Sequence, residues 1–330
     1  MKKRSNLEIM GKLMTLVRPL ALYMFLAILL GVLGFLCATF LTIFGTYALL
    51  DAAGFMVPVT IGAAFTCLIL FAVLRGLLRY GEQACNHFIA FKLLAHIRDK
   101  VFHALRRLCP AKLEGRDKGD LISIITSDIE LLEVFYAHTI SPIAIAICMS
   151  AIMVCFIGAY HPILGLIALL GYLTVGILLP CITSKKSGAL GMELRTRSGE
   201  LSSFVLDSLR GLSELIQYRW GDARLKSLEE QSDTLAEKQE KQSRINGRNS
   251  AATNTVILLF DLAMLTAAAL LYQGGAISSV GLVIPVVAMM SSFGPVIALA
   301  NLGGTLQNTF AAGERVLDIL EEKMCIRDRV

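Results

Sequence analysis

The stretch Val134–Ser184, VFYAHTISPIAIAICMSAIMVCFIGAYHPILGLIALLGYLTVGILLPCITS, runs for 51 residues without a Lys, Arg, Asp or Glu. A helix crosses the hydrocarbon core of a bilayer in about 20 residues. The stretch therefore holds two crossings, and Gly158–Pro162 supplies the tight turn between them. Working outward, Pro19–Leu50 and Ala52–Leu74 are uncharged over 32 and 23 residues, and Asn249–Gly313 carries Asp261 alone. These runs predict an all-α, polytopic membrane protein with six transmembrane helices. The first run is too long for the apolar segment of a signal peptide, and no small-residue cleavage site follows it.

The 31 Lys and Arg fall in four blocks: five in Lys2–Arg18, ten in Arg75–Lys118, twelve in Lys185–Arg248 and four in Arg315–Arg329. Each gap between blocks has room for a hairpin of two membrane helices. Basic residues gather on the cytoplasmic side, so the blocks and both termini are expected on the cytoplasmic face of a membrane, with tiny outer loops free of Lys and Arg. The net charge of +5 then reports topology and contact with anionic headgroups, and nucleic acid is not an expected partner.

Residues 1–18 read as a cytoplasmic N-terminus with an interfacial elbow helix, because apolar residues from Leu7 to Val17 are interleaved with Glu8 and Lys12. Residues 19–310 form the six-helix unit. Helix 1 spans about Leu20 to Leu50, and Pro58 is expected as an early residue of helix 2. The apolar period of helix 2 continues past Arg75 and Arg79 to Cys109-Pro110, giving a helix of about 50 residues of which half projects into the cytoplasm. Helix 4 continues past Lys185 to Arg210, and a polar helix returns from Asp222 into helix 5. Two long cytoplasmic arms result, each bent back at a short reversal, near Lys118–Asp128 and Gly211–Asp222. Such arms suit a protein that passes force to something docked beneath the membrane.

Candidate chemical groups are few. GxxxxGK[ST], whose backbone amides cradle phosphate, is absent from the sequence. The eight Cys include no CxxC pair, so neither a metal nor a disulfide framework is indicated. Asp261 is an isolated acid in an apolar crossing, a place for substrate contact or ion coupling, or else a packing residue near the inner end of helix 5. Arg75, Arg79 and Glu82 share a face at the inner mouth of helix 2, either drawing in an anionic or zwitterionic substrate or reaching to headgroups. His87 and His96, expected on similar sides of helix 2, are weak candidates for haem or metal ligation. Gly31, Gly34 and Gly45 are expected to allow close helix contacts along helix 1.

Several of these stretches carry a resemblance. Arg79-Tyr80-Gly81-Glu82 leading to Leu94-Ala95-His96-Ile97-Arg98, Gly119-Asp120-Leu121 with Ser127-Asp128-Ile129-Glu130, Ile140-Ser141-Pro142, Leu209-Arg210-Gly211-Leu212-Ser213-Glu214 and Ala311-Ala312-Gly313-Glu314-Arg315-Val316 together resemble the transmembrane domain of an ATP-binding-cassette exporter. Within that superfamily the chain is most similar in flavour to the cysteine/glutathione exporter subunits needed for cytochrome bd assembly. It departs from the pattern at Ile124, where many relatives carry Arg. The resemblance implies coupling residues at Gly119, Asp120, Leu121, Asp128, Gly211 and Glu214. It also implies a second exporter half, expected as a heterodimer partner, and a nucleotide-binding domain in cis or in trans that holds ATP and Mg. Residues 311–323 would begin the linker to that domain, and 324–330 are expected to be an artefactual tail. A small thiol or peptide is the expected substrate class. The rival readings are a non-transporting membrane scaffold and, further off, a secondary carrier.

Overall fold

The computed structural model describes residues 6–109, 121–122, 124–300 and 303–322. Among them, six helices are long and apolar enough to cross a membrane. Helix 1 is Ala21–Ala52, helix 2 Ile61–Leu108 and helix 3 Ser141–Gly158. Helix 4 starts as Pro162–Leu173, passes through a π turn at Thr174–Leu178 and continues as Leu179–Arg210. Helix 5 is Gly221–Gln273, and helix 6 is Ser279–Ser292 continued by Gly294–Ala300. An elbow helix, Asn6–Val17, precedes them and an exit helix, Gly303–Glu321, follows. No strand occurs among the described residues. The cause is general: lipid offers no partner for backbone N–H and C=O groups, so each crossing must bond them within itself.

Helix ends follow from local chemistry. Helix 2 stops where Cys109 turns extended (φ −76°, ψ 143°), as the residue before a proline must. Its start corrects the expectation for Pro58. The helix begins at Ile61, three residues later, because Asp51 reaches across the outer turn and its Oδ2 accepts from the Ile61 N–H at 2.7 Å. The outer turns after helices 1 and 5 place Gly54 and Gly275 at φ +84° and +71°. In each, the N–H beyond the glycine bonds back to a carbonyl in the last helical turn, Phe55 to Leu50 and Ala276 to Leu271, the closure that glycine makes without steric cost.

The same closure ends the short helix Leu212–Gln217, where Trp220 N–H bonds to Leu215 O at 2.9 Å. The residue in the left-handed position there is Arg219, at φ 53°. A side chain in that conformation costs about 1 kcal/mol, so Arg219→Gly is expected to stabilise the arm tip by about that much. Slower hydrogen exchange at the amides of Tyr218 and Trp220 is the readout.

Two apolar clusters hold the chain together. One joins the elbow helix (Ile9, Leu13), the C-terminal half of helix 2 (Ile89, Leu93, Ile97) and the exit helix (Val316), and is called the inner cluster below. A membrane cluster joins helices 3, 4, 5 and 6 through residues such as Met149, Ala168, Met264 and Met289. The second arm is different. Across the described residues from 190 to 248 no residue is buried, and the two strands of this helical hairpin are held by side-chain pairs such as Lys238 with Glu193. The Lys238 ammonium holds the Glu193 carboxyl below the usual carboxylate range.

Candidate functional site

The first reversal is described only in part. Gly119 and Asp120 lie outside the described residues, while Leu121 is half-buried against the inner cluster. A π turn, Ile124–Asp128, leads into the helix Ile129–Phe135, and a second π turn, Tyr136–Ile140, joins it to helix 3. Ile124, where the resemblance led one to look for Arg, is 4 % exposed within the inner core. Asp128 does not face outward. It is 2 % exposed, and its Oδ1 accepts from Arg315 Nη2 of the exit helix at 2.5 Å.

The exit helix is tied down on other sides as well. Lys12 of the elbow pairs with Glu321 at 2.7 Å, and Arg107 Nη2 donates to the Glu322 carbonyl at 3.1 Å. Tyr136 donates its hydroxyl to the Leu13 carbonyl at 2.9 Å, and burial pushes this phenol above its ordinary pKa. The elbow, the described residues that follow the first reversal and the exit helix are thus one packed unit.

The second reversal is built the opposite way. Gly211 caps helix 4, its N–H bonded to Asp207 O at 2.9 Å, and the helix Leu212–Gln217 lies across the arm's end. Leu212, Ile216, Tyr218 and Trp220 are all at least half exposed. Glu214 points to solvent, and its own backbone N–H and Ser213 hold its carboxyl below the usual range. An open cleft of about 600 Å³ runs beside this helix, with Gly211, Glu214, Tyr218 and Trp220 along it. Arg224, which the sequence did not single out, fixes the geometry. Its Nε donates to Ser208 Oγ at 2.7 Å, Nη2 donates to Phe204 O at 3.2 Å, and the guanidinium sits 3.5 Å above the Phe204 ring. One planar group clamps helix 4 to helix 5 just above the reversal. Its signal in sequence is merely an Arg sixteen residues after a Ser, which no pattern reveals.

The residues expected to line a substrate path fall in two places. At the inner mouth, Arg79 Nη1 pairs with Glu82 Oε2 at 2.6 Å and lies 5.8 Å from the Phe35 ring centroid. Arg79 is exposed and Glu82 is 4 % exposed. The Glu82 carboxyl fits against Gly31 of helix 1, where an added Cβ would stand 3.2 Å from its Cδ and still closer to Ile145. Gly34 has ordinary contacts and Gly45 open space, so of the three helix 1 glycines Gly31 alone is closely packed. Arg75 is exposed and forms no ion pair among the described residues.

Asp261 is elsewhere, on the face of helix 5 that carries Met264 and Ala268 into the membrane cluster. It stands thirteen residues from both Arg248 and Gly274, about 20 Å along the helix from each.

The histidine pair also changes. Nine residues of α-helix rotate through about two and a half turns, so His87 and His96 lie on opposite sides of helix 2. His87 is exposed and stacks on Phe91 at 6.1 Å, while His96 is half-buried. Among the described residues no group of three or more His, Cys, Asp or Glu could hold a metal ion.

Comparison with known proteins agrees with this architecture. Residues 20–296 match the family model described as ABC transporter transmembrane region. A probable ABC transporter ATP-binding/permease protein of Haemophilus influenzae is 41 % identical over 99 % of this chain and 59 % of its own length. The glutathione/L-cysteine transport system ATP-binding/permease protein CydC of Escherichia coli is 26 % identical over 76 % of the chain and 44 % of that protein. A fatty acid ABC transporter ATP-binding/permease protein of Mycobacterium tuberculosis is 26 % identical over 70 % of the chain and 36 % of that protein. The chain thus spans about 59 % of the length of the first of these and less of the others.

Proposed function

Because the chain belongs to the ABC transporter transmembrane family, we propose that it is the membrane half of an ATP-driven exporter, forming the substrate path and receiving force from an ATPase domain. The observation that carries this reading is the second reversal. A six-residue helix with exposed Leu212 and Ile216, flanked by exposed Tyr218 and Trp220, stands at the tip of two helices continuous with the membrane crossings. Helix 5 alone is 53 residues long, about 80 Å, so displacement at its cytoplasmic end reaches the bilayer without a joint. An apolar knob on a rigid lever fits a groove in a partner that closes and opens.

In this reading the partner is a nucleotide-binding domain that supplies ATP and Mg, in cis or in trans, and a second exporter half completes the cavity. The relatives that transport glutathione and L-cysteine favour a heterodimer and a small thiol or peptide as substrate. The basic blocks on the arms support cytoplasmic termini in a bacterial inner membrane. Gly211 and Glu214 hold the knob's shape, Gly119, Asp120 and Leu121 are proposed to form the first knob, and Arg75, Arg79 and Glu82 the inner mouth.

The test is substrate-stimulated ATPase activity of the complete transporter in nanodiscs. Leu212→Asp with Ile216→Asp places two charges in the docking surface without touching a buried residue. At least a tenfold loss of stimulation, with unchanged helicity, is expected from removing two apolar anchors. Full stimulation in the double variant would overturn the docking role.

A further inference from the structure

We propose that Asp261 is an intramembrane cation-exchange site: it holds a proton in the conformation seen here and releases it to water when the positively charged nitrogen of an arriving substrate takes its place. Three observations carry this. Asp261 is the sole Asp, Glu, Lys or Arg between Asn249 and Gly313, so this stretch supplies it no counter-ion. Its Oδ1 is sealed from solvent and has no hydrogen-bond partner among the described residues, while the residue as a whole is half-buried, leaving one side open. Beside it is a polar pair inside the membrane cluster, Tyr172 OH and Ser292 Oγ, 2.5 Å apart and 4 % and 2 % exposed. Helices 4 and 5 meet here: a Cβ on Gly171, the neighbour of Tyr172, would stand 3.3 Å from the ring of Phe260, the neighbour of Asp261.

A bare carboxylate in hydrocarbon is expensive and acquires a compensating positive charge. The sealed oxygen is out of reach of solvent, whereas the half-buried side chain keeps another side accessible, the side assigned to the ammonium group. The elements packed against helix 5 offer no alternative cation at this depth. Tyr172 is the titratable side chain that helix 4 presents, with Cys181 nearer its inner end, and Ser279–Ser292 of helix 6 contains none. The exchange balances without an oxidant or reductant. The Asp261 O–H bond breaks, the proton passes to water, and the carboxylate pairs with the cationic nitrogen. Cation affinity therefore rises with pH, since proton and substrate compete for one group. The site deepens the export reading by naming a substrate class, solutes bearing a positive nitrogen, and it rests on that reading for the direction of travel alone.

The test uses the whole chain in lipid nanodiscs, with ethidium as the probe cation. Infrared spectra at neutral pH are expected to show a protonated-carboxyl C=O band that is missing in Asp261→Asn and restored in Asp261→Glu. Saturating ethidium is expected to abolish the band, with about one proton released per cation bound, and Asp261→Asn to weaken ethidium binding at least tenfold. Identical spectra for wild type and Asp261→Asn, a band that survives saturating ethidium, or unchanged ethidium affinity in Asp261→Asn would each overturn the proposal. The Leu212→Asp, Ile216→Asp variant leaves all of these readouts intact, so failure of the docking reading and failure of this one appear in different experiments.

Discussion

Arg315→Ala is expected to lower the stability of the inner half of the domain by about 2 kcal/mol. Asp128 is 2 % exposed and its Oδ1 rests on the Arg315 guanidinium. Removing the cation leaves a carboxylate out of water with less than it needs to offset its lost hydration. The loss stays below the largest values seen for buried pairs because the Arg315 side chain is 48 % exposed, so part of its attraction is screened. Asp128→Asn combined with Arg315→Ala is expected to recover at least half of the loss, since a neutral amide in place of the carboxylate carries no desolvated charge. Reversible unfolding in mixed micelles gives the four corners of this cycle. A double-variant loss equal to the sum of the two single losses would show that the pair contributes nothing beyond its separate contacts.

Gly165 and Gly158 are expected to respond unequally to alanine, although they face each other across the outer turn of helices 3 and 4. A Cβ on Gly165 would stand 2.8 Å from the Gly158 Cα and 3.3 Å from both the Gly158 N and the Val154 carbonyl oxygen. These are backbone atoms, and they yield only if the hairpin opens. A Cβ on Gly158 would meet Gly165 Cα at 3.7 Å, an ordinary contact. Gly165→Ala should therefore cost about 2–3 kcal/mol by overpacking. Gly158→Ala should be neutral or slightly stabilising, since alanine loses less backbone entropy in a helix. Unfolding of the two variants in the same micelles checks the asymmetry, and comparable losses would show that the hairpin is looser than its geometry.

The lengths and turns of the six helices could be read from charge because charge is excluded from lipid, and exclusion leaves gaps that any composition must respect. Val134–Ser184 needed no partner to be understood. The second reversal was likewise readable, since Gly211 and the polar face around it mark a stop within a helical pattern. Asp128 was not. A coupling residue identified from the resemblance of Ser127-Asp128-Ile129-Glu130 gives no hint that its side chain turns inward, because Arg315 is 187 residues away in sequence. The same holds for Arg224, whose partners Phe204 and Ser208 sit on the opposite strand of the arm. Pro58 misled for a local reason, as Asp51 supplied the cap that proline was expected to replace. The side-by-side placement of His87 and His96 failed on helical rotation, which the residue count itself contains.

The π turn Thr174–Leu178 divides helix 4 at the point where helix 6 passes closely, a Cβ on Gly176 standing 3.1 Å from Val296. One residue more than an α turn holds is wound in there, which offsets the azimuth of everything beyond it by about 100°. The membrane part of helix 4 and its arm therefore keep separate phases, as two gears keyed at different angles to one shaft. Deleting a single residue in this turn would remove the extra winding and leave the Leu212–Gln217 knob at its present azimuth, whereas deleting one in the α-helix below Lys186 would swing the knob by about 100°.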